Sequence, residues 1–202
     1  KGFTSRVILN YLSLLGWNPD SDKEIFDENE LINSFQFKQV QKKSAVFDEK
    51  KLLWISQQHL SEMSVRDLMN EIYTLNPEWG DGLEWDYLKE VVKLIKDRSK
   101  TITEIKSMSE IFFKDKLEYD IDLLNKTFND KSIAIIKDFQ SALSTIEDWS
   151  RVEIEKIFED IMEQHEVAIG QVMKPVRVAI SGIPFGPGIF DLILLLGKEI
   201  CQ

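Results

Sequence analysis

Apolar residues between positions 7 and 196 recur at intervals of three and four, the spacing that turns one face of an α-helix toward a core, and no block of the chain is rich in strand-like alternation. The first helix carries Val7, Ile8, Tyr11, Leu12, Leu14 and Leu15 and is expected to stop at Gly16 and Pro19. Asp27 or Asn29 can cap a second, with Leu31, Ile32 and Phe35, whereas residues 37–46 have no clean period and read as loop or short extended chain. Asp48 opens a third run through Leu52, Leu53, Ile55, Gln58 and His59, and Ser64 caps a fourth over 65–75. Pro77, Gly80 and the Asp81-Gly82 pair make residues 76–82 a loop. Beyond it Leu88, Val91, Val92 and Ile95 share one face of an amphipathic helix over 85–97, and Thr101 with Glu104 reads as a capping box for the next. Further helices are expected at 121–128, 132–143 and 151–165. Four of the nine Gly and three of the five Pro fall between Pro175 and Gly197, which predicts tight, backbone-dictated turns there. No period of 20–50 residues repeats. The pattern is that of an all-α protein.

With 202 residues, 43% of them hydrophobic, the chain can bury a real core, and its length suits one large domain or two small ones; two are expected. The single cysteine, Cys201, excludes a disulfide scaffold and fits a reducing, cytoplasmic compartment. The longest apolar stretch, from Ile189 to Leu196, contains Asp191 and falls far short of the roughly 20 residues that span a bilayer, so no membrane partner is expected. Residues 1–15 read as an amphipathic helix without a signal-peptide cleavage site. The sequence starts at Lys1, inside a helical pattern and without an initiating Met, as a piece of a longer protein would.

Twenty-five Lys and Arg against 35 Asp and Glu give a net charge of −10, which argues against binding nucleic acid by bulk electrostatics. A local basic face can still bind a polyanion, because charges beyond a Debye length of about 8–10 Å are screened. Catalytic constellations are poor. His59 and His165 are far apart and share no metal-ligand spacing with Cys, His or acidic residues, residues 183–188 match neither GxGxxG nor GxxxxGK[ST], and the carboxylate pairs Asp27-Glu28 and Glu147-Asp148 read as solvated helix ends. Recognition is the remaining chemistry. Lys96, Arg98 and Lys100 interrupt the acidic background where one helix ends and the Thr101 helix begins, and Lys174 and Arg177 precede the Gly/Pro-rich segment. An Arg at a helix end can grip a base edge or a phosphate; the alternative is a surface charge or a salt-bridge partner.

Four separated motifs carry a family resemblance: Asn10-Tyr11-Leu12-Ser13-Leu14-Leu15-Gly16-Trp17; Ser44-Ala45-Val46-Phe47-Asp48 with Lys51-Leu52; Asp97-Arg98-Ser99-Lys100-Thr101-Ile102; and Lys174-Pro175-Val176-Arg177-Val178-Ala179-Ile180-Ser181-Gly182 continuing through Gly186-Pro187-Gly188-Ile189-Phe190 to Leu195-Leu196-Gly197-Lys198. In order and spacing they resemble the C-terminal half of bacterial-type glutamyl-tRNA synthetases. The resemblance implies an all-α arrangement in which residues 1–62 are the remainder of a stem-contact domain. An anticodon-binding domain follows at 63–202, with subdomains at about 63–118 and 119–202. It implies a class I parent that attaches glutamate to its tRNA using ATP and Mg2+, with the catalytic signatures upstream of Lys1. This chain alone is then expected to hold no cofactor and to bind glutamate tRNA, at anticodon and stem, without catalysing, as a monomer and with no DNA partner. Matched by position, Arg98 reads the third anticodon base, Arg177 is a second anticodon contact, and Gly186, Pro187 and Ile189 shape a pocket for unstacked bases. From another class, a helical protein–protein interaction module with no RNA role fits the acidic, helix-rich composition.

Overall fold

The computed structural model of the chain describes residues 2–41, 45–114 and 117–202. Among them the regular structure is helical, and the strand-like pairing is confined to one isolated antiparallel bridge between Trp17 and Val40. The chain divides into two compact units, Lys1–Ser109 and Glu110–Gln202. The break expected near residue 62 separates two helices inside the first unit.

The first unit begins with α1 (Ser5–Gly16), which packs on α3 (Glu49–Glu62) around Val7, Tyr11, Leu52 and Ile55. Gly16 is the last helical residue and not a left-handed cap; Trp17 turns the chain off in extended conformation, φ −113°. The reason lies in residues 39–41. The Trp17 indole donates to Gln39 Oε1 at 3.0 Å and the Gln41 N–H donates to the Gly16 carbonyl at 2.7 Å, so the end of α1 pairs with extended chain. The segment without a period starts with a 3₁₀ turn, Phe37–Gln39, followed by that bridge, and residues 42–44, with Ser44 of the second motif, lie outside the described residues. Asp27, not Asn29, caps α2 (Glu28–Ser34), exchanging both capping-box bonds with Glu30. Asp48 caps α3 through the N–H groups of Lys50 and Lys51.

Asn10 and His59 tie α1, α3 and the chain between α1 and α2 together. The Asn10 amide is oriented by two backbone groups: its Nδ2 donates to the Glu24 carbonyl and its Oδ1 accepts from the Phe26 N–H, both at 3.0 Å. His59 Nε2, 2.8 Å from the same Oδ1, must therefore be the protonated nitrogen. Helices α4 (Val65–Leu75), α5 (Trp85–Ile95) and α6 (Ile102–Ser109) complete the unit, burying Leu68, Met69, Ile72, Leu88, Val91, Val92, Ile95 and Ile105. The intervening loop is anchored by Trp79, whose indole donates to Ser109 Oγ at 2.8 Å.

In the second unit α7 (Ile121–Thr127), α8 (Asp130–Thr145), α9 (Arg151–His165) and α10 (Ile169–Ser181) are followed by α11 (Ile189–Leu196) and the single turn α12 (Lys198–Cys201). Helices α8, α9 and α10 form a layer around Phe158, whose ring meets Phe139 and Phe190 edge-on at 5.4 and 5.1 Å. Here the turn-rich reading of 175–197 is corrected at its start. Residues 174–181 are helical, with Pro175 buried inside α10. An interior Pro costs about 3 kcal/mol in an isolated helix, partly by orphaning the carbonyl four residues back. That residue is Gln171, which is exposed to water, while Val172, Pro175, Val176 and Ile180 keep the helical spacing of a buried face.

Candidate nucleic-acid interface

Among the three cations at 96, 98 and 100, Lys96 is tied to the protein while Arg98 and Lys100 are exposed. α5 runs directly into a 3₁₀ turn, Lys96–Arg98, that lies on the end of α3. Lys96 Nζ donates to the carbonyls of Ser61 and Met63 at 2.8 and 3.2 Å, so its charge closes the C-terminus of α3, where the helix dipole favours a cation. Gln57 of α3 donates to the Asp97 carbonyl at 3.1 Å, and buried Ser99 donates to the Ile95 carbonyl at 2.9 Å. Between these anchors Arg98 is exposed, and no hydrogen bond or ion pair of its guanidinium occurs among the described residues. Thr101 caps α6 by accepting from the Glu104 N–H at 3.1 Å, but the Glu104 carboxylate reaches past the cap to the Lys100 N–H at 2.7 Å. The expected capping box is displaced by one residue, which fixes the backbone just after Arg98.

Arg177 belongs to the second unit, on α10. Its Nη1 is buried and lies 3.5 Å from where a Cβ on Gly186 would stand, so the guanidinium rests against the loop that follows its own helix. That loop is pinned at both ends. Gly182, left-handed at φ +72°, returns its N–H to the Val178 carbonyl at 2.9 Å, and Ser181 Oγ bridges the Arg177 and Ile183 carbonyls at 2.7 and 3.2 Å. Outside the loop, Tyr119 donates its hydroxyl to the Ala179 carbonyl at 2.6 Å, occupying one acceptor at the end of α10. At the far end Pro187 is buried, Ile189 is 3% exposed, and the Gly188 carbonyl accepts from Leu192 to start α11. Gly186 has φ +144°, a conformation that side-chain-bearing residues rarely adopt.

The structure thus brings Arg177 and Gly186 together; Pro187 and Ile189, next along the chain, are buried, and Arg98 stands in the other unit. Within the loop the large apolar side chain left in solvent is Phe185, 63% exposed. No helical period marks it, but an aromatic residue between Pro184 and Gly186 sits where no helical face could bury it.

Away from that loop, two further features of the described residues bear on chemistry. One of about 510 Å³ in the first unit is lined by Arg6, Lys23, Glu24, His59 and Glu62. Lys23 is paired with Glu30 and Glu24 with Lys51, and burial together with the Arg6 charge pushes His59 below the usual imidazole range against the opposing pull of Glu62. Cys201 is buried, and burial pushes its thiol up to about 12, which removes it as a nucleophile near neutral pH. Among the described residues no helix is long and apolar enough to cross a membrane.

Residues 55–202 match the anticodon binding domain family, and the chain belongs to that family. Residues 1–54 match the family described as tRNA synthetases class I (E and Q), catalytic domain. Among curated relatives, the glutamate–tRNA ligase of Flavobacterium johnsoniae is 33% identical over 199 residues, 98% of this chain and 40% of the relative. That of Desulforudis audaxviator is 35% identical over 210 residues, 99% of this chain and 42% of the relative. A crystal structure of a glutamate tRNA ligase from Elizabethkingia meningosepticum in complex with its amino acid superposes with a TM-score of 0.83 at 26% identity, covering 99% of this chain and 40% of that one. The chain therefore spans about two fifths of the length of these relatives.

Proposed function

We propose that the chain is the anticodon-reading part of a glutamate–tRNA ligase, and that it binds glutamate tRNA at anticodon and stem without catalysing. The observation that carries this reading is the Arg177 guanidinium held against the Gly186 turn, within residues that match the anticodon binding domain family. RNA sequence is read mostly from splayed, single-stranded bases by arginine forks, apolar platforms and backbone groups at tight turns, and this unit offers all three. Arg98 reads the third anticodon base, Arg177 makes a second anticodon contact, and Gly186, Pro187 and Ile189 set the shape of the base pocket. Residues 1–62 contact the stem, and residues 63–202 form the anticodon-binding domain. The parent is a cytoplasmic, monomeric class I ligase that joins glutamate to tRNA using ATP and Mg2+, both held outside this chain; DNA and membrane are not partners.

A protein–protein module is the second reading, favoured by the exposed apolar side chains Ile32, Phe37, Val46 and Phe47 of the first unit. Fluorescence titration with glutamate tRNA at several salt concentrations separates the two. Salt-dependent binding that weakens on Arg177→Ala, with the thermal midpoint unchanged, supports RNA recognition. Absence of binding at low salt refutes it. Glutamate-dependent pyrophosphate exchange above background by this chain alone would refute the assignment of catalysis to the parent.

A further inference from the structure

Resting on the anticodon-reading function proposed above, we infer that Phe185 is a stacking platform for one unstacked base of the RNA loop, working beside Arg177. A single exposed aromatic residue is ordinary on a protein surface and carries no argument by itself. Two features set Phe185 apart.

The first is how it is held. Upstream, the chain leaves α10 through the left-handed Gly182, with Ser181 bonded to both sides of the turn. Downstream, Gly186 at φ +144° leads into buried Pro187 and then Ile189, 3% exposed. Between these held flanks Phe185 is 63% exposed, and no ring contact of Phe185 occurs among the described residues. A residue held this way gives up little further backbone freedom on binding, which lowers the entropic cost of using it as a contact.

The second is what stands next to it. Gly186 is the residue against which the Arg177 guanidinium rests, 3.5 Å from the position of a Cβ. The loop residue that the Arg177 side chain touches is therefore the immediate neighbour of Phe185. A splayed base presents two different surfaces, a π-face that stacks on aromatic rings and an edge that accepts hydrogen bonds, and an aromatic ring with an arginine can engage both. Phe has no hydrogen-bonding group, so Phe185 would hold the plane of a base without selecting its identity, leaving selection to Arg177 and the backbone.

The test uses the present chain and a fluorescently labelled glutamate tRNA transcript, read by anisotropy at two salt concentrations, with Phe185→Leu, Phe185→Tyr and Arg177→Ala. Stacking measured by truncation in other systems predicts that Phe185→Leu weakens binding by about fivefold or more, and that Phe185→Tyr restores it. Because the lost contact is uncharged, the dependence of affinity on salt should be the same for Phe185→Leu and wild type, whereas Arg177→Ala should make it shallower if Arg177 meets a phosphate. Binding by Phe185→Leu within twofold of wild type, while Arg177→Ala is weakened, overturns the stacking role and leaves the anticodon-reading function standing. So does a Phe185→Tyr variant as weak as Phe185→Leu. Failure of the wild-type chain to bind the transcript overturns both.

Discussion

Lys96→Met removes a charge that is bound to the end of α3, and it is expected to lower both the stability of the first unit and the affinity for RNA. The lysine donates two hydrogen bonds from a cation to the terminal carbonyls of α3. A hydrogen bond to a charged group contributes about 1.5–3 kcal/mol, and a cation at a helix C-terminus about 0.3–1 kcal/mol, overlapping quantities that are not to be summed. Ser61 and Met63 are only half-buried, so water can take over part of what the ammonium supplies, and a net loss of about 1–2 kcal/mol is the reasonable expectation. For a unit of this size each kcal/mol moves the thermal midpoint by about 4–8 °C, so the drop should be about 4–16 °C. Met keeps the aliphatic stem, which separates charge from packing. The 3₁₀ turn bearing Arg98 is held on α3 by Lys96 and by the Gln57 bond to the Asp97 carbonyl, so Gln57→Ala should weaken the same junction. Calorimetry of the single variants, with tRNA titration on the folded protein, measures both effects. A Lys96→Met midpoint within a degree of wild type would refute the claim that Lys96 closes the helix, and it would return Lys96 to the pool of cations free to meet RNA.

Gly186→Ala should cost about 1–3 kcal/mol in a urea titration, because φ +144° is strained for any residue with a Cβ, while the Cβ itself would meet Arg177 at an ordinary 3.5 Å; an unchanged midpoint would mean the loop relaxes freely. His59 is held below the usual imidazole range mainly by burial, so the unfolded chain takes up the proton first. Stability from this group is complete above pH about 6.5 and lost as the pH falls through the lower folded value; a urea midpoint flat across that window, or a slope that persists in His59→Gln, would contradict the assignment. Arg98→Gln in the parent ligase should reduce the preference for glutamate over glutamine tRNA by about tenfold or more, since a bidentate base contact contributes about 1–3 kcal/mol. Glutamate activation should be unaffected, and an equal ratio of charging efficiencies in wild type and variant would leave Arg98 a solvated charge.

What the sequence made legible, and what it hid, follows from the range over which each signal acts. Caps and periodic faces are local, so Asp48, Ser64 and the helix over 151–165 could be read directly. Pro175 was misread because propensity acts on an isolated helix, whereas here the apolar face from Val172 to Ile180 is buried against α8 and α9 and outweighs the Pro penalty. Lys96 and Arg98 are two residues apart and chemically alike, yet one is bound to the end of a helix 33–35 residues earlier and the other stands in solvent. No local pattern distinguishes them, since the difference depends on where α3 ends in space. The same holds for Arg177 and Gly186, nine positions apart and joined only because α10 persists through Pro175 and turns at Gly182. Had the chain turned at Pro175, as its composition suggests, Arg177 would lie within the turn itself, and no helix would present it to the loop. The helical continuation through Pro175 is therefore a condition of the proposed site.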